Sequence, residues 1–328
     1  MVTVIIPTYK RAHNIERAIN SVLNQTYQDF ELIVVDDNDP ETEYRKDMMK
    51  IMSKYKNNEK VKYLMHERNK NGAAARNTGI KEAKGEYITF LDDDDYFMPK
   101  RLEILVNTLE KNKEYGGAYS STILVKNKKI VGGSIANKSG NLKKDLLLDK
   151  FSFGTGSNMF FRSEALKEIN GFDERFLRHQ DIECMIRFLR KNTLIGVNEV
   201  LVIKCQDMQT NVPDIYKYKK IKQLYIETFK EDVSELTKTE QNQFYIANLQ
   251  SLIAIAIKDK KYKEAKNLKK ELKKYGNYKI FSKNNIKNLI ILMNNYIPVE
   301  YFRELLKRVK LSKNIDKEIK EIIKNNIK

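Results

Sequence analysis

The stretch Gly85–Pro99, GEYITFLDDDDYFMP, joins a short apolar run to four adjacent aspartates, Asp92 to Asp95. The run EYITFL is typical of a buried β-strand. Adjacent carboxylates repel one another, so their concentration in a chain of net charge +17 needs a physical reason. One reading is a solvated turn in which Asp95 caps the next helix. The other is a site that binds a cation.

The order of strand and helix repeats along the first 112 residues. Apolar runs that predict strands lie at Val2–Pro7, Phe30–Asp37, Lys60–His66 and Glu86–Leu91. Segments that predict helices follow them at Asn14–Gln25, after Pro40, at Ala73–Gly85 and at Pro99–Asn112. This alternation predicts an α/β fold, with a mostly parallel sheet flanked by helices.

Polar clusters follow three of these strands. They read PTYKR (7–11), VDDNDP (35–40) and LDDDD (91–95). Because parallel strands end at one edge of a sheet, where ligands of such folds bind, we expect the clusters to lie together. Carboxylates that converge there repel unless a cation lies between them, and hard oxygen ligands suit Mg²⁺ or Mn²⁺. Asp36 and Asp37, with the acid run, therefore predict a site for a metal ion and a diphosphate.

The pattern changes after residue 112. Residues 115–134 predict a hairpin or edge strands, Gln180–Asn192 predicts an amphipathic helix, and Leu194–Cys205 predicts a pair of strands. The remainder is predicted to be helical. We therefore predict one domain over 1–212, with halves 1–112 and 113–212, and a Lys-rich helical domain over 213–328.

Six motifs occur in order over about residues 1 to 210. They are TVIIPTYKRAHNIERAINSVLNQTYQDFELIVVDD, NGAAARNTGI, GEYITFLDDDD, NMFFR, GFDERF and QDIE. In this order they resemble the motifs of family 2 glycosyltransferases of the GT-A fold. The resemblance implies a Rossmann-like nucleotide-binding half, here 1–112, joined to an acceptor-binding half. It also implies an inverting transfer of a hexose-type sugar from a nucleotide sugar, UDP-linked by expectation, with Mn²⁺ or Mg²⁺ as cofactor.

The resemblance also implies donor-binding residues at the ends of the strands. Thr8 and Tyr9 are expected to line the base pocket, and Asp36 to hydrogen-bond the uracil or the ribose. Arg76 is expected on the nucleotide side. A structural ion pair of Arg76 with Asp36 or with the acid run is the alternative, and Arg76 could serve both purposes.

The acid run matches the family's DxD motif. By this resemblance Asp92 and Asp93 face the ribose and the metal, and Asp94 is the metal ligand.

The general base is expected in the stretch RHQDIE (178–183). The family's motif is usually Glu-Asp, and here Gln180 replaces the Glu, which leaves one acid fewer beside the base. We assign the base to Asp181, which would take the proton of an acceptor hydroxyl. Glu183 and His179 are rival bases, and a plain helix cap is the structural alternative for Asp181.

The expected function is transfer of one sugar to a glycan, a lipid-linked acceptor or a protein in bacterial surface polysaccharide or glycoprotein synthesis. The chain contains no Trp, so the QxxRW motif of processive synthases is absent. In NMFFR, Phe160 and Phe161 are expected in the core, with a sugar platform as the alternative. Gln180 keeps open a catalytically silent nucleotide-sugar-binding protein. Acids at the ligand edge argue against a nucleic-acid partner.

Most of the positive charge lies at the C-terminal end. Residues 258–328 contain 21 Lys or Arg and 8 Asp or Glu, and so carry +13 of the +17. Three interpretations stay open: a solvated helical surface, peripheral contact with anionic lipid, or subunit contact in a homo-oligomer through residues 288–311. The two cysteines form no CxxC pair, and the start MVTVIIPTYKR lacks a basic region before its apolar run. We expect a cytoplasmic protein, or one at the inner face of the membrane.

Overall fold

A computed structural model describes residues 1–127, 129–206 and 213–276. The predicted domain boundary at 212 and the predicted subunit-contact segment 288–311 lie outside the described residues. So does the larger part of the Lys-rich segment.

The described residues form nine strands and eleven α-helices. The strands are β1 (Val2–Thr8), β2 (Phe30–Asp36), β3 (Val61–Met65), β4 (Tyr87–Phe90), β5 (Tyr96–Phe97), β6 (Gly117–Lys126), β7 (Lys129–Ser134), β8 (Phe160–Arg162) and β9 (Leu194–Cys205). The first seven helices are α1 (Ala12–Leu23), α2 (Glu43–Met52), α3 (Gly72–Glu82), α4 (Arg101–Lys111), α5 (Lys143–Leu147), α6 (Ser163–Glu168) and α7 (Gln180–Phe188). The last four are α8 (Ile215–Thr228), α9 (Lys230–Ser234), α10 (Lys238–Lys258) and α11 (Tyr262–Leu272).

The sheet confirms the predicted α/β fold class. Its strands run in the order β3-β2-β1-β4-β8-β6-β9-β5, and β7 pairs with β6. The first four strands in the chain pair in parallel, whereas β8 is antiparallel to both β4 and β6. The carboxyl ends of β1, β2 and β4 therefore meet at one edge, as the polar clusters predicted.

The core explains why these segments adopt their elements. Val2, Val4 and Ile6 of β1 are fully buried, as is typical of a central strand covered on both faces. Helix α1 buries Ile15, Ala18, Ile19 and Val22, which recur with helical spacing. Ile5 is the last residue of β1 that pairs with β4. Strands β1 and β4 therefore separate before Pro7 and Thr8.

Two features of the sheet differ from the prediction. Leu194–Cys205 is one long strand and not a pair, so that prediction was wrong. This strand runs parallel to β6, and its pairing with β6 shifts register twice near Ser121, opposite the polar residues at the middle of β9. The acid run leads into β5, a two-residue strand that the sequence analysis missed, and β5 pairs antiparallel with β9. The aspartates are thereby fixed between two strands of the sheet.

Phe160 and Phe161 lie in the core, as expected. Both side chains are fully buried, and the Phe160 ring stacks on Tyr87 at a centroid distance of 5.4 Å. Phe161 packs against Phe188 at 4.6 Å. Neither ring is available as a platform for a sugar.

The chain divides into two units, the second of which contains residues 143–152 and the helices α8 to α11. Within it, Lys143 Nζ lies 3.1 Å from Asp232 Oδ1 and 2.9 Å from Glu235 Oε2. Thr237 and Glu240 form a capping box at the start of α10. Residues 143–152 lie inside the predicted acceptor half but group with these helices, and the functional division of the chain stays a prediction.

A search of the helices in the described part of the chain finds none with the length and apolar character needed to cross a bilayer.

Gly79 sets the distance between α3 and the central strand. A methyl group at this position would lie 2.5 Å from Cγ2 of Ile5, which is fully buried. We expect Gly79→Ala to lower the free energy of unfolding by about 1–3 kcal/mol, because overpacking outweighs the better helix propensity of Ala. Urea unfolding measures the change, with the exposed Lys81→Ala on the same helix as the control. A Gly79→Ala variant at least as stable as the parent would contradict this packing.

Candidate functional site

An arginine from the first βα loop forms ion pairs with two aspartates of the acid run. Nη1 of Arg11 lies 2.5 Å from Oδ2 of Asp94 and 3.4 Å from Oδ1 of Asp93. Thr8 donates its hydroxyl to the other oxygen of Asp93 at 2.8 Å. Burial and the neighbouring Asp94 raise the pKa of Asp93 to about 7, against the opposing effect of Arg11. A cation does lie among these carboxylates, and it is a side chain of the chain itself.

Asp95 has a structural role that differs from a helix cap. Its carboxylate accepts from the backbone N–H of Cys205 at 2.9 Å and from the hydroxyl of Ser157 at 2.6 Å. Burial and the neighbouring carboxylates raise its pKa well above the ordinary value. Helix α4 begins only at Arg101, so the capping interpretation is wrong. Instead, the hydrogen bonds of Asp95 connect the acid run to β9 and to the loop that carries Ser157.

The carboxylate of Asp36 is contacted by neighbouring protein groups. It is fully buried and accepts from the Asn38 backbone N–H at 2.9 Å and from the Tyr63 hydroxyl at 2.5 Å. Nε of Arg45 lies 3.0 Å from Oδ2 of Asp36, outside hydrogen-bond alignment, so this contact is electrostatic. A contact of Asp36 with uracil or ribose stays a prediction, and it would require rearrangement of this network.

Asp37 organises the following loop. One oxygen accepts from the backbone N–H of Lys70 at 2.9 Å and lies 2.7 Å from Nδ1 of His66. The other accepts from the backbone N–H of Asn71 at 3.0 Å and the side chain of Asn69 at 2.8 Å. Asp36 and Asp37 therefore belong to networks of their own and are not brought into one cluster with the acid run.

Arg76 connects the acid run to the start of α7. Its Nη2 lies 2.5 Å from Oδ1 of Asp92, and its Nη1 donates to Oε1 of Gln180 at 2.9 Å. The guanidinium also lies over the ring of Phe172, 5.5 Å from its centroid. The predicted alternative of an ion pair with the acid run is therefore present, and its partner is Asp92.

Asp181 lies beside this bridge. A methyl group on Gly156 would be 3.6 Å from Cβ of Asp181 and 3.8 Å from Nη2 of Arg76, so Gly156 borders both residues. Asp181 is partly exposed in the first turn of α7, and its Oδ1 accepts from the adjacent backbone N–H of Ile182 at 2.9 Å. This contact leaves Oδ2 as the oxygen that could accept a proton.

Glu183 is poorly placed as a rival base. It is fully buried, and its carboxylate accepts from Nη2 of Arg187 at 2.8 Å and from the backbone N–H of Asp173. His179 directly precedes α7 in a left-handed conformation with φ +60 and is partly exposed. Asp181 therefore remains the carboxylate that best fits the predicted role.

Tyr9 presents an aromatic surface at the same edge. Its side chain is 38% exposed, and Nζ of Lys10 lies 4.9 Å from its ring centroid and 5.6 Å from that of Tyr44. An exposed ring next to a cation is suited to stacking with a nucleobase. The base pocket at Tyr9 stays a prediction.

Three residues of the site were missed in the sequence analysis: Arg11, Arg45 and Ser157. Ser157 accepts from the backbone N–H of Asp92 at 3.0 Å and donates to Asp95. A signal existed for Arg45, which shares the buried face of α2 with Met48 and Met52 at helical spacing. No comparable pattern marks Arg11 or Ser157, because loops bring them to the acid run.

A divalent ion would find few ligands here. Within residues 1–127, 129–206 and 213–276, no group of three or more His, Cys, Asp or Glu side chains could hold a metal. The side chains of Asp92 and Asp94 keep 31% and 15% exposure. Mg²⁺ is commonly held by one or two carboxylates together with substrate phosphates, and this donor set fits such a shared site. The ion would have to displace Arg11 from Asp94.

Comparison with known proteins decides the family. The family model described as "Glycosyl transferase family 2" matches residues 3–170, which is just over half of the chain.

The chain belongs to glycosyltransferase family 2.

Two curated relatives support a glycosyltransferase activity. The Escherichia coli UDP-Glc:alpha-D-GlcNAc-diphosphoundecaprenol beta-1,3-glucosyltransferase WfgD is 30% identical over 198 residues, which are 60% of this chain and 73% of WfgD. The Campylobacter jejuni GalNAc(5)-diNAcBac-PP-undecaprenol beta-1,3-glucosyltransferase is 32% identical over 179 residues, 53% of this chain and 55% of the relative. Both relatives transfer glucose to lipid-linked sugars, according to their names.

A solved structure shows the same fold. The mannosyltransferase PcManGT from Pyrobaculum calidifontis, in complex with GDP-Man and Mn²⁺, superimposes with a TM-score of 0.56 at 15% identity. The match covers 89% of this glycosyltransferase and 84% of PcManGT. At this identity the likeness establishes the GT-A fold, and it leaves the donor nucleotide open.

Arg45 is the buried cation beside the Asp36 carboxylate. We expect Arg45→Met to lower the free energy of unfolding by about 3–5 kcal/mol, because it leaves the buried Asp36 without its cation. Urea unfolding measures the loss. The control is Lys46→Met, whose ion pair with Glu43 is exposed and should contribute little to stability. Equal stability of the two variants would contradict the role of Arg45.

Proposed function

We infer that the protein transfers one sugar, with inversion, from a UDP-sugar to a hydroxyl of a lipid-linked sugar in bacterial surface polysaccharide synthesis. The family supports glycosyl transfer, the name of WfgD supplies the UDP donor, and the names of both relatives supply the polyprenyl-diphosphate acceptor. Such an acceptor lies at a membrane surface, which favours lipid contact among the three interpretations of the Lys-rich C-terminal segment. A glycan or protein acceptor is the alternative outcome.

The observation that carries the proposal is the bridge through Arg76. Its guanidinium contacts Asp92 of the acid run and Gln180, the residue before the proposed base Asp181. A donor held at the acid run would therefore lie next to Asp181. Transfer requires this arrangement, because the acceptor hydroxyl must meet both the sugar and the base.

The residues would act in a single displacement. The acceptor oxygen attacks the anomeric carbon, its proton passes to the Asp181 carboxylate, and the bond from that carbon to the diphosphate oxygen breaks. The nucleoside diphosphate leaves with the bonding electrons. Arg76 and Arg11 pair with carboxylates of the acid run and would stabilise this negative charge.

Asp94, with Asp92 beside it, would hold a divalent ion of the kind bound by PcManGT. When bound, Mn²⁺ or Mg²⁺ supplies positive charge to the departing diphosphate. Thr8, Tyr9 and Asp93 are proposed to contact the nucleoside end of the donor.

A direct test uses UDP-glucose and GlcNAc α-linked to a diphosphate-alkyl chain. The proposal predicts a glucosylated product with a β linkage, because the donor is α-linked and the displacement inverts it. The NMR coupling constant of the new anomeric proton reports the configuration. An α linkage would contradict inversion, and absence of transfer with UDP-glucose, UDP-GlcNAc and UDP-galactose would contradict the proposed function.

Asp181→Asn tests the base. We expect kcat to fall at least about 10³-fold while the Kd for UDP stays within about twofold, because the amide cannot accept the proton. Isothermal titration calorimetry and a UDP-release assay separate the two effects. A variant that turns over at the parental rate would remove Asp181 from the role.

Asp94→Ala tests the metal ligand. The gain in UDP affinity on adding Mn²⁺ should disappear, because the protein's own ligand to the shared ion is lost. Calorimetry with and without Mn²⁺ measures this gain, and Asp47→Ala on the exposed face of α2 is the control. An unchanged gain in Asp94→Ala would refute the assignment.

The catalytically silent alternative predicts different behaviour of the parental protein. It would bind UDP-glucose but would release no UDP, with or without an acceptor. Steady release of UDP in the presence of Mn²⁺, lost in Asp181→Asn, favours the enzyme.

A further inference from the structure

Gln180, where the family usually has an acid, makes two hydrogen bonds of opposite polarity. Its Oε1 accepts from Nη1 of Arg76 at 2.9 Å. Its Nε2 donates to the backbone carbonyl of Phe176 at 2.8 Å. The two partners fix the orientation of the amide, because a guanidinium can only donate and a carbonyl can only accept.

An ionised carboxylate would not fit this position. One oxygen could still pair with Arg76, but the other would face the Phe176 carbonyl oxygen at hydrogen-bond distance with no proton between them. Two acceptors at that separation repel, and the carbonyl would lose its donor. Only an amide, or a carboxyl group in its protonated form, satisfies both partners.

The two bonds hold the start of α7. The bond to Phe176 closes the turn 176–180, in which His179 adopts φ +60, and Asp181 is the next residue in the chain. The bond to Arg76 ties the same turn to the residue that contacts Asp92. Gly72 permits this close approach, since a methyl group there would lie 3.1 Å from Arg76 Nη1 and 3.2 Å from Gln180 Oε1.

We propose that Gln180 is a positioning residue, whose amide locks the Asp181 carboxylate in register with the acid run through Arg76. The proposal rests on the proposed function, in which Asp181 is the base. In this proposal Gln180 contributes to catalysis, and the absence of an acid at position 180 does not indicate a catalytically silent protein.

The surroundings of the amide determine how a carboxyl group would titrate in its place. The charged and titratable groups around it are Arg76 from α3, Asp92 from the acid run, Arg178 and His179 from the preceding turn, and Asp181 and Glu183 from α7. All of them are also present in the parental protein, whose own pH profile is therefore the reference for the variant.

The decisive experiment compares Gln180→Glu and Gln180→Met with the parental protein from pH 8 to pH 5. Gln180→Glu should lower kcat about tenfold at pH 8, the equivalent of one lost hydrogen bond. Its activity relative to the parent should recover at least about two- to threefold by pH 5, because the Phe176 carbonyl disfavours the ionised form and so raises the pKa of the introduced Glu above its ordinary value of about 4.3. Gln180→Met should be about tenfold slower at every pH.

UDP affinity and stability separate positioning from general damage. The Kd for UDP in Gln180→Met should stay within about twofold of the parental value, so the loss falls on kcat. The melting temperature of Gln180→Glu relative to the parent should also rise as the pH falls. Gln223→Glu, on the exposed surface of α8, adds the same charge without these contacts and should show neither effect.

The two proposals fail in different ways. A flat activity ratio for Gln180→Glu, or parental kcat in Gln180→Met, would overturn the positioning role. Inactivity of the parental protein with every donor would contradict the proposed function instead. In that case the melting temperatures still test the contact, and a pH-independent difference between Gln180→Glu and the parent would overturn it.

Discussion

Each of the first three βα units contributes an arginine that pairs with carboxylates at the carboxyl ends of the parallel strands. Arg11 follows β1 and pairs with Asp93 and Asp94, Arg45 lies on α2 and pairs with Asp36, and Arg76 lies on α3 and pairs with Asp92. A buried carboxylate without a cation costs several kcal/mol. These pairs therefore allow an acidic edge to exist inside a folded domain, and the rest of the site depends on them.

The fourth unit departs from this rule. Arg101 of α4 is fully buried and is held by neutral oxygens, those of Ser120, Asn158 and the Ser157 carbonyl. Burial lowers its pKa to about 9. The guanidinium instead fixes the loop that carries Ser157, and this loop in turn binds Asp92 and Asp95. Positive charge thus supports the acid run both by direct contact and through its neighbours.

The division of the acids into separate networks shapes the proposed chemistry. Asp36 and Asp37 are occupied by Arg45, Tyr63 and the backbone of the 69–71 loop, whereas Asp92 and Asp94 keep partial exposure. In the proposed mechanism a divalent ion, shared with the donor phosphates, would therefore bind to Asp92 and Asp94 and not to Asp36 or Asp37. Binding of the ion and release of Arg11 from Asp94 become one exchange, which would free a cation for the diphosphate.

The sequence predicted the frame of this site better than its contacts. Alternating apolar runs and helix signals identify β1 to β4. Strands β1, β2 and β4 are buried on both faces, whereas β3 at the edge of the sheet is only partly buried. That Thr8, Asp36 and Asp92 lie along one edge of the sheet follows from parallel strand order alone. The arginine partners could not be derived in the same way, because a long side chain can reach several acids and only packing selects one. The pair of Arg76 with the acid run was foreseen only as an alternative. Arg45 was missed, although its spacing with Met48 and Met52 marks the buried face of α2. The β5 strand was missed because two residues carry no period.

The proposed mechanism requires that the acid run, with its arginine partners, binds the donor diphosphate next to Asp181. Crystals grown with UDP and Mn²⁺ test it most directly through the anomalous scattering of manganese. The account predicts one manganese peak between the Asp94 carboxylate and the diphosphate, with Arg11 displaced and the uracil near Tyr9. Ordered UDP elsewhere on the molecule, with Arg11 still on Asp94 and no manganese beside it, would contradict the account.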